Sequence, residues 1–326
     1  MNIIYKTDFQ LEQCENKIDY KSNLLFMGSC FSDNMFALLH KYKFQAKTNP
    51  FGILYNPVSI INALHMFMEN SRVDEKDIVK REDVYYCYFM HSKVNAATRE
   101  ALMDKVQRII QEGQTMLKNA SHIILTFGTA FTYTLKSSGR IVANNHKQPA
   151  GLFEKKFLHA SEITGLLENF LERCRAFNPS ARVIFTVSPV RHIKEGFPEN
   201  AASKGALLSA IYALRQKRKD VYYFPAYEIM HDDLRDYRYY ADDLLHPSAL
   251  AVSYIFEKFK TACIDPACYH LMRETDAVYT AMEHKPFHPE AQSHKAFKLN
   301  MLLKVEQLQN ENPALDFSNE IHFFRN

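Results

Sequence analysis

Short apolar runs alternate along the chain with stretches in which apolar residues recur every three or four positions. This is the pattern of buried strands alternating with amphipathic helices. Leu24-Leu25-Phe26-Met27 reads as a buried strand ending at Gly28, and Phe31, Met35, Leu38 and Leu39 follow at helical spacing. Helices are expected over residues 58–70, 96–117, 160–177 and 203–218, a strand over residues 83–90 and a hairpin over residues 131–142 around Ser137-Ser138-Gly139. Further buried strands are expected at residues 122–127, 182–187 and 221–224. A last helix should start at His246-Pro247, where proline suits a first helical turn, with Leu250, Ala251, Tyr254, Ile255 and Phe259 as its apolar stripe.

The alternation predicts an α/β domain with a mainly parallel sheet over residues 1–263. Residues 264–326 change character, with histidines scattered among charges and prolines and one amphipathic stretch over residues 296–308, and read as an appendage packed on the core. Parallel strands that end on one side create a single crevice, the usual ligand site of open α/β sheets. Ser29, Gly128 and Ser188 should gather along that edge.

Composition narrows the function classes. With 47% hydrophobic and 24% charged residues the chain is an ordinary globular protein. A net charge of +3 is too balanced to hold a phosphate backbone, so no nucleic-acid partner is expected. Six cysteines without a CxxC pair suggest reduced thiols rather than disulfides. The N-terminus lacks a signal-peptide pattern and no apolar run reaches membrane length, which predicts a cytoplasmic protein with no membrane partner. Nucleotide-binding glycine motifs, H-E-x-x-H and G-x-S-x-G are missing, and neither cofactor nor metal is expected.

Ser29 follows a strand and a glycine and precedes a helix, so its hydroxyl would sit where backbone N–H groups stabilise an oxyanion. A serine there is more often only a helix cap. Asp243-Leu-Leu-His246 supplies the partner: residues three apart in a helix or turn share a face, so the carboxylate can fix the imidazole tautomer while the other ring nitrogen meets a hydroxyl. Cys30 is an alternative nucleophile at the same helix start, although a small thiol facing the core is the commoner role.

These segments resemble a known family. GSCFS is similar to the GSCFA signature of the bacterial GSCFA-domain proteins, relatives of the SGNH (GDSL-type) hydrolases, and TNPFGILYNP, LTFGTAFTY, VANNHKQP, TVSPVRH and DDLLHPSALAVSYIFEKF extend the likeness from about Leu24 to Phe259. The resemblance implies a flavodoxin-like three-layer α/β/α sandwich, with Ser29 in the nucleophile block and Asp243 and His246 in the final D-x-x-H block. It departs from the wider SGNH pattern where Gly128-Thr129-Ala130 replaces the block that carries an oxyanion-hole asparagine. The donors are then expected to be the Ser29 N–H, the Gly52 N–H and a substitute among Thr129, Asn56 and Asn145. His146, Arg191 and His192 are candidates for substrate contacts, each with a plain surface or loop role as the alternative.

The sequence thus points to a serine esterase or deacetylase acting on a small-molecule or carbohydrate ester through an acyl-enzyme. An acyltransferase using the same site, or a binding protein on a degenerate hydrolase fold, is the alternative.

Overall fold

Three six-residue runs, NLLFMG, HIILTF and RVIFTV, have neighbouring side chains directed to opposite faces, and both faces are covered by helices. The computed structural model, which describes residue 7 and residues 9–326, makes them the centre of a five-stranded parallel sheet. Its strands are β1 (Asn23–Gly28), β2 (Gln45–Thr48), β6 (His122–Phe127), β10 (Arg182–Val187) and β11 (Tyr222–Tyr223). The spatial order is β2-β1-β6-β10-β11. Counted among the sheet's own strands this is 2-1-3-4-5, the flavodoxin-like order, whose direction of winding reverses between β1 and β6.

Leu25, Met27, Ile123, Leu125, Phe127, Val183, Phe185 and Val187 pack on one face beneath α2 (Pro57–Glu69), α3 (Arg99–Asn119), α4 (Ala160–Phe177) and α5 (Phe197–Lys217). Leu24, Phe26, Ile124 and Ile184 face the other way, toward α1 (Cys30–Lys41), the single turn α6 (Ala226–Glu228) with its following π turn, and α7 (Ala249–Cys263). This three-layer sandwich agrees with the fold expected from the sequence. Two small antiparallel sheets flank it: β3 (Ile78–Arg81), β4 (Val84–Cys87) and β5 (Asn95–Ala96), then β7 (Phe131–Leu135), β8 (Arg140–Val142) and β9 (Phe153–Phe157). Tyr88, Leu135, Val142 and Phe153 bury a common cluster between them.

Two of the boundaries that differ from expectation lie close to the strand ends. Helix α5 begins at Phe197 rather than at residue 203, with Pro198 in its first turn. Helix α7 begins at Ala249, because the Ser248 hydroxyl accepts the Ala251 N–H and caps it, so His246 and Pro247 lie before the helix.

The loop after β2 fixes the end of β1. Asn49, held at φ +43°, accepts the Gly28 N–H on Oδ1 at 2.8 Å and donates from Nδ2 to Asp33 Oδ1 at 2.8 Å. Its own N–H reaches Phe26 O. One side chain therefore ties β1, the first turn of α1 and the second loop together.

The C-terminal segment is helical throughout its main elements: α8 (Tyr269–Glu283), α9 (Gln292–Glu311) and α10 (Ser318–Arg325) enclose Val278, Val305, Leu308, Leu315, Phe317 and Phe324. It is fastened to the turn between α1 and β2 by the Lys43–Glu320 ion pair at 2.6 Å, whose side chains are 10% and 2% exposed.

Asn49→Ala should lower the unfolding free energy by about 2 kcal/mol, since it strands a buried N–H, and urea denaturation measures it. A loss under about 0.5 kcal/mol, the range of ordinary surface changes, would show that the clamp is dispensable. Lys43→Met should cost about 3 kcal/mol because Glu320 stays buried without its cation, and adding Glu320→Leu should restore much of that. Equal stability of the single and double variants would contradict the pair's role.

Candidate functional site at the carboxyl ends of the strands

The β1–α1 junction is tight. Gly28 sits at φ +134°, and a Cβ there would stand 2.1 Å from Thr126 O, so only glycine lets β1 and β6 approach this closely. Ser29 follows, fully buried, with its N–H donating to Thr126 O at 3.1 Å and its Oγ accepting the Phe31 N–H at 3.3 Å as the cap of α1. Cys30, the first residue of α1, is half-buried and belongs to neither core cluster, which corrects the expectation of a core-facing thiol. Burial and then Asp33 push its thiol up, against the opposing pull of the Cys30 and Phe31 N–H groups and of Lys204.

Asp243 and His246 occupy a turn, not a helix, with Leu244 between them in the left-handed region at φ +58°. Asp243 Oδ1 accepts the Leu245 and His246 N–H groups, each at 2.9 Å, and Oδ2 meets His246 Nδ1 at 2.6 Å. Those backbone bonds, and then the ring, pull the carboxyl down to about 2. The ionised carboxylate can only accept, so Nδ1 carries the proton and Nε2 presents its lone pair. Both side chains are about half exposed, at 46% and 48%.

The loop after β10 joins the two halves. The Arg191 N–H donates to Leu245 O at 3.1 Å, and the Arg191 guanidinium lies 4.1 Å from the Tyr240 ring centroid and 5.0 Å from that of Tyr237. His192 packs edge-on against Tyr55. Its buried Nε2, with no hydrogen-bond partner, lies 2.7 Å from where a Cβ on Gly128 would be. Burial, Lys204 and His246 depress its pKa to about 3, so it is a neutral ring beside Gly128. The turn bearing His246 is thus tied through Leu245 O to the loop that leaves β10. In this arrangement Ser29 Oγ is hydrogen-bonded to Phe31 N and His246 to Asp243, not to each other.

The expected oxyanion donors are differently employed. The Ser29 N–H is engaged by Thr126 O and the Gly52 N–H closes a turn onto Asn49 O at 2.7 Å, with Gly52 at φ +74°. The Thr129 N–H reaches Tyr55 O, and its hydroxyl is shared between Ser203 and the Phe131 N–H. Asn56 caps α2 through Oδ1, and Asn145 Oδ1 accepts the Lys147 N–H. Each amide therefore keeps its Nδ2 as donor. His146 has both ring nitrogens engaged within the protein: Nε2 contacts Cys87 O at 2.8 Å, Nδ1 contacts Ser92 Oγ at 3.0 Å, and the buried ring stacks on Tyr86.

Two residues here escaped sequence reasoning. Asn49 stood within the matching stretch TNPFGILYNP, but nothing in it marked that side chain as the clamp. Lys204 lies with Leu207, Ile211 and Leu214 on the buried stripe of α5, and that spacing was its available signal. Among the described residues no group of three or more His, Cys, Asp or Glu side chains is placed to hold a metal ion, and no helix is long and apolar enough to cross a membrane.

Comparison with solved structures gives an acetyl xylan esterase from the rumen bacterium Butyrivibrio proteoclasticus, at 12% identity and a TM-score of 0.38, covering 76% of this chain. The chain spans 65% of that enzyme. Comparison with curated proteins gives no match. The model of the GSCFA domain protein C-terminal domain matches residues 275–326. The GSCFA family model matches residues 23–259, from the first residue of β1 into α7, and the chain belongs to the GSCFA family.

Proposed function

We propose that this chain is an ester hydrolase that forms an acyl-enzyme at the β1–α1 junction, with Ser29 as nucleophile, His246 as general base and Asp243 as its anchor. The observation that supports it is the Asp243–His246 pair: a carboxylate held by two N–H groups fixes the imidazole with Nε2 available as a base, on a turn tied to the carboxyl ends of the strands. In the first step His246 Nε2 takes the hydroxyl proton as Oγ attacks the ester carbonyl. The tetrahedral intermediate then expels the alcohol, which receives that proton. Water, deprotonated by the same nitrogen, releases the acid and restores Ser29. An O-acyl ester of a small molecule or carbohydrate is the substrate class. Because Ser29 is fully buried and not yet bonded to His246, substrate has to draw the two together, as catalytic hydrogen bonds often tighten only in the bound complex.

Exposure favours a second assignment within the same chemistry. Cys30 is half-buried where Ser29 is closed off, and it sits at the start of α1, where helix N-terminal N–H groups favour a thiolate. Acyl transfer to its thiolate would use the same base.

Treatment with a fluorophosphonate, with the adduct located by mass spectrometry, should modify Ser29, and Ser29→Ala should lower p-nitrophenyl acetate turnover by about 10³-fold. Modification of Cys30, with loss of turnover in Cys30→Ala instead, moves the nucleophile by one residue. Turnover unchanged in both variants, with neither residue modified, overturns the proposal. Asp243→Asn should reduce kcat by about 10²- to 10⁴-fold with KM little changed, since the amide no longer fixes the tautomer. Because Asp243 stays ionised down to about 2, loss of activity in mild acid should not come from this carboxylate. A kcat equal to that of the parent would reduce the pair to a surface contact.

A further inference from the structure

Lys204 is 1% exposed. Its Nζ donates to Gly128 O at 2.8 Å and to Ser188 O at 2.7 Å, the first residues beyond β6 and β10. Among the described residues no carboxylate is ion-paired with it. Two carbonyls account for two of the three ammonium hydrogens. A tie between strand ends requires no charge, and a buried cation is costly unless an anion offsets it. The arrangement has a cation with a free hydrogen and no resident anion, at the edge where the sheet opens.

The groups facing it identify where the anion belongs. His192 from the loop after β10 and His231 from the π turn are neutral rings whose protonation Lys204 opposes. The Tyr227 ring of α6 lies 5.8 Å away. Cys30, from the first turn of α1, is the group whose anionic form Lys204 favours, and Asp33 and Tyr55 are its other titratable neighbours. Gly128, whose carbonyl Lys204 holds, lies two residues beyond Thr126, the acceptor of the Ser29 N–H, so Lys204 stands beside the β1–α1 junction, where Ser29, Gly52 and Thr129 have their N–H groups already engaged.

We propose that Lys204 is the built-in counter-charge for the negative charge that develops at the β1–α1 junction during acyl transfer, in place of a set of neutral hydrogen-bond donors. Burial lowers its ammonium to about 7, so near neutrality it is poised between its two forms, and an anion arriving at the junction draws the proton onto it. The inference rests on the ester-hydrolase proposal, but the field itself is measurable without any turnover.

Iodoacetate places a carboxylate on Cys30, and nitrogen-15 NMR of the lysine amines then follows Lys204 in the parent protein. The Lys204 titration midpoint should rise by about one pH unit or more on carboxymethylation, the effect of a nearby opposite charge. An unmoved midpoint overturns the proposal. In a second arm, Lys204→Gln keeps an NH2 group for the two carbonyls and removes the charge. Alkylation of Cys30 by iodoacetamide below its midpoint should slow roughly tenfold, with recovery in Lys204→Arg. On p-nitrophenyl acetate, Lys204→Gln should lose about 10- to 100-fold in kcat with KM within threefold, the mark of a charge felt in the transition state. Equal kcat in parent and Lys204→Gln, with the Cys30 shift present, also overturns it. A shifted Cys30 titration in a protein that hydrolyses no ester would leave the cation's direction intact and remove the ester-hydrolase proposal instead.

Discussion

Where β1 and β6 end, their backbones lie so close that the space between them admits a hydrogen but not a methyl group. Gly28 meets that constraint, and its consequences spread outward. The Ser29 N–H is drawn onto Thr126 O, Ser29 becomes the cap of α1, and Cys30 is the first side chain of the helix. Asn49 completes the knot by satisfying the Gly28 N–H, which would otherwise be buried without an acceptor.

The Ser29, Gly52 and Thr129 N–H groups at this edge all donate to backbone carbonyls. The groups that a neutral oxyanion pocket would use close turns and cap strands here, and the ionisable groups at this edge include the Asp243 carboxylate and the buried Lys204 amine. Charge in a water-poor setting acts over a longer range and needs less exact placement than a hydrogen bond. The carboxylate, exposed and bonded by two backbone amides, holds its proton affinity down. The buried amine is pushed toward neutrality.

The layers of the fold were legible because β1, β6 and β10 are apolar on both faces, and because Phe31, Met35 and Leu39 repeat at helical spacing. Strand β2 was not, since Gln45-Ala46-Lys47-Thr48 is a polar edge strand that its neighbour and not its composition makes a strand. The helix expected from His246 starts three residues later because Ser248 is the better cap, and this places Asp243 and His246 in a turn whose spacing still brings carboxylate and ring together. Ser29, Asp243 and His246 could be named from motif and position. The state of each N–H, the exposure of Cys30 beside Ser29 and the burial of Lys204 depend on packing across the sheet, which no local spacing records.

The Lys43–Glu320 pair joins the C-terminal helices to the turn at the far end of α1, the helix whose first residues carry the proposed chemistry. A helix anchored at its tail is a lever with a fixed fulcrum: its leading turn can shift only by bending or by carrying the terminal bundle along. The C-terminal segment, remote from Ser29, is thereby a mechanical boundary condition on it. Variation in that bundle has a route to the geometry of the crevice without a single residue entering it.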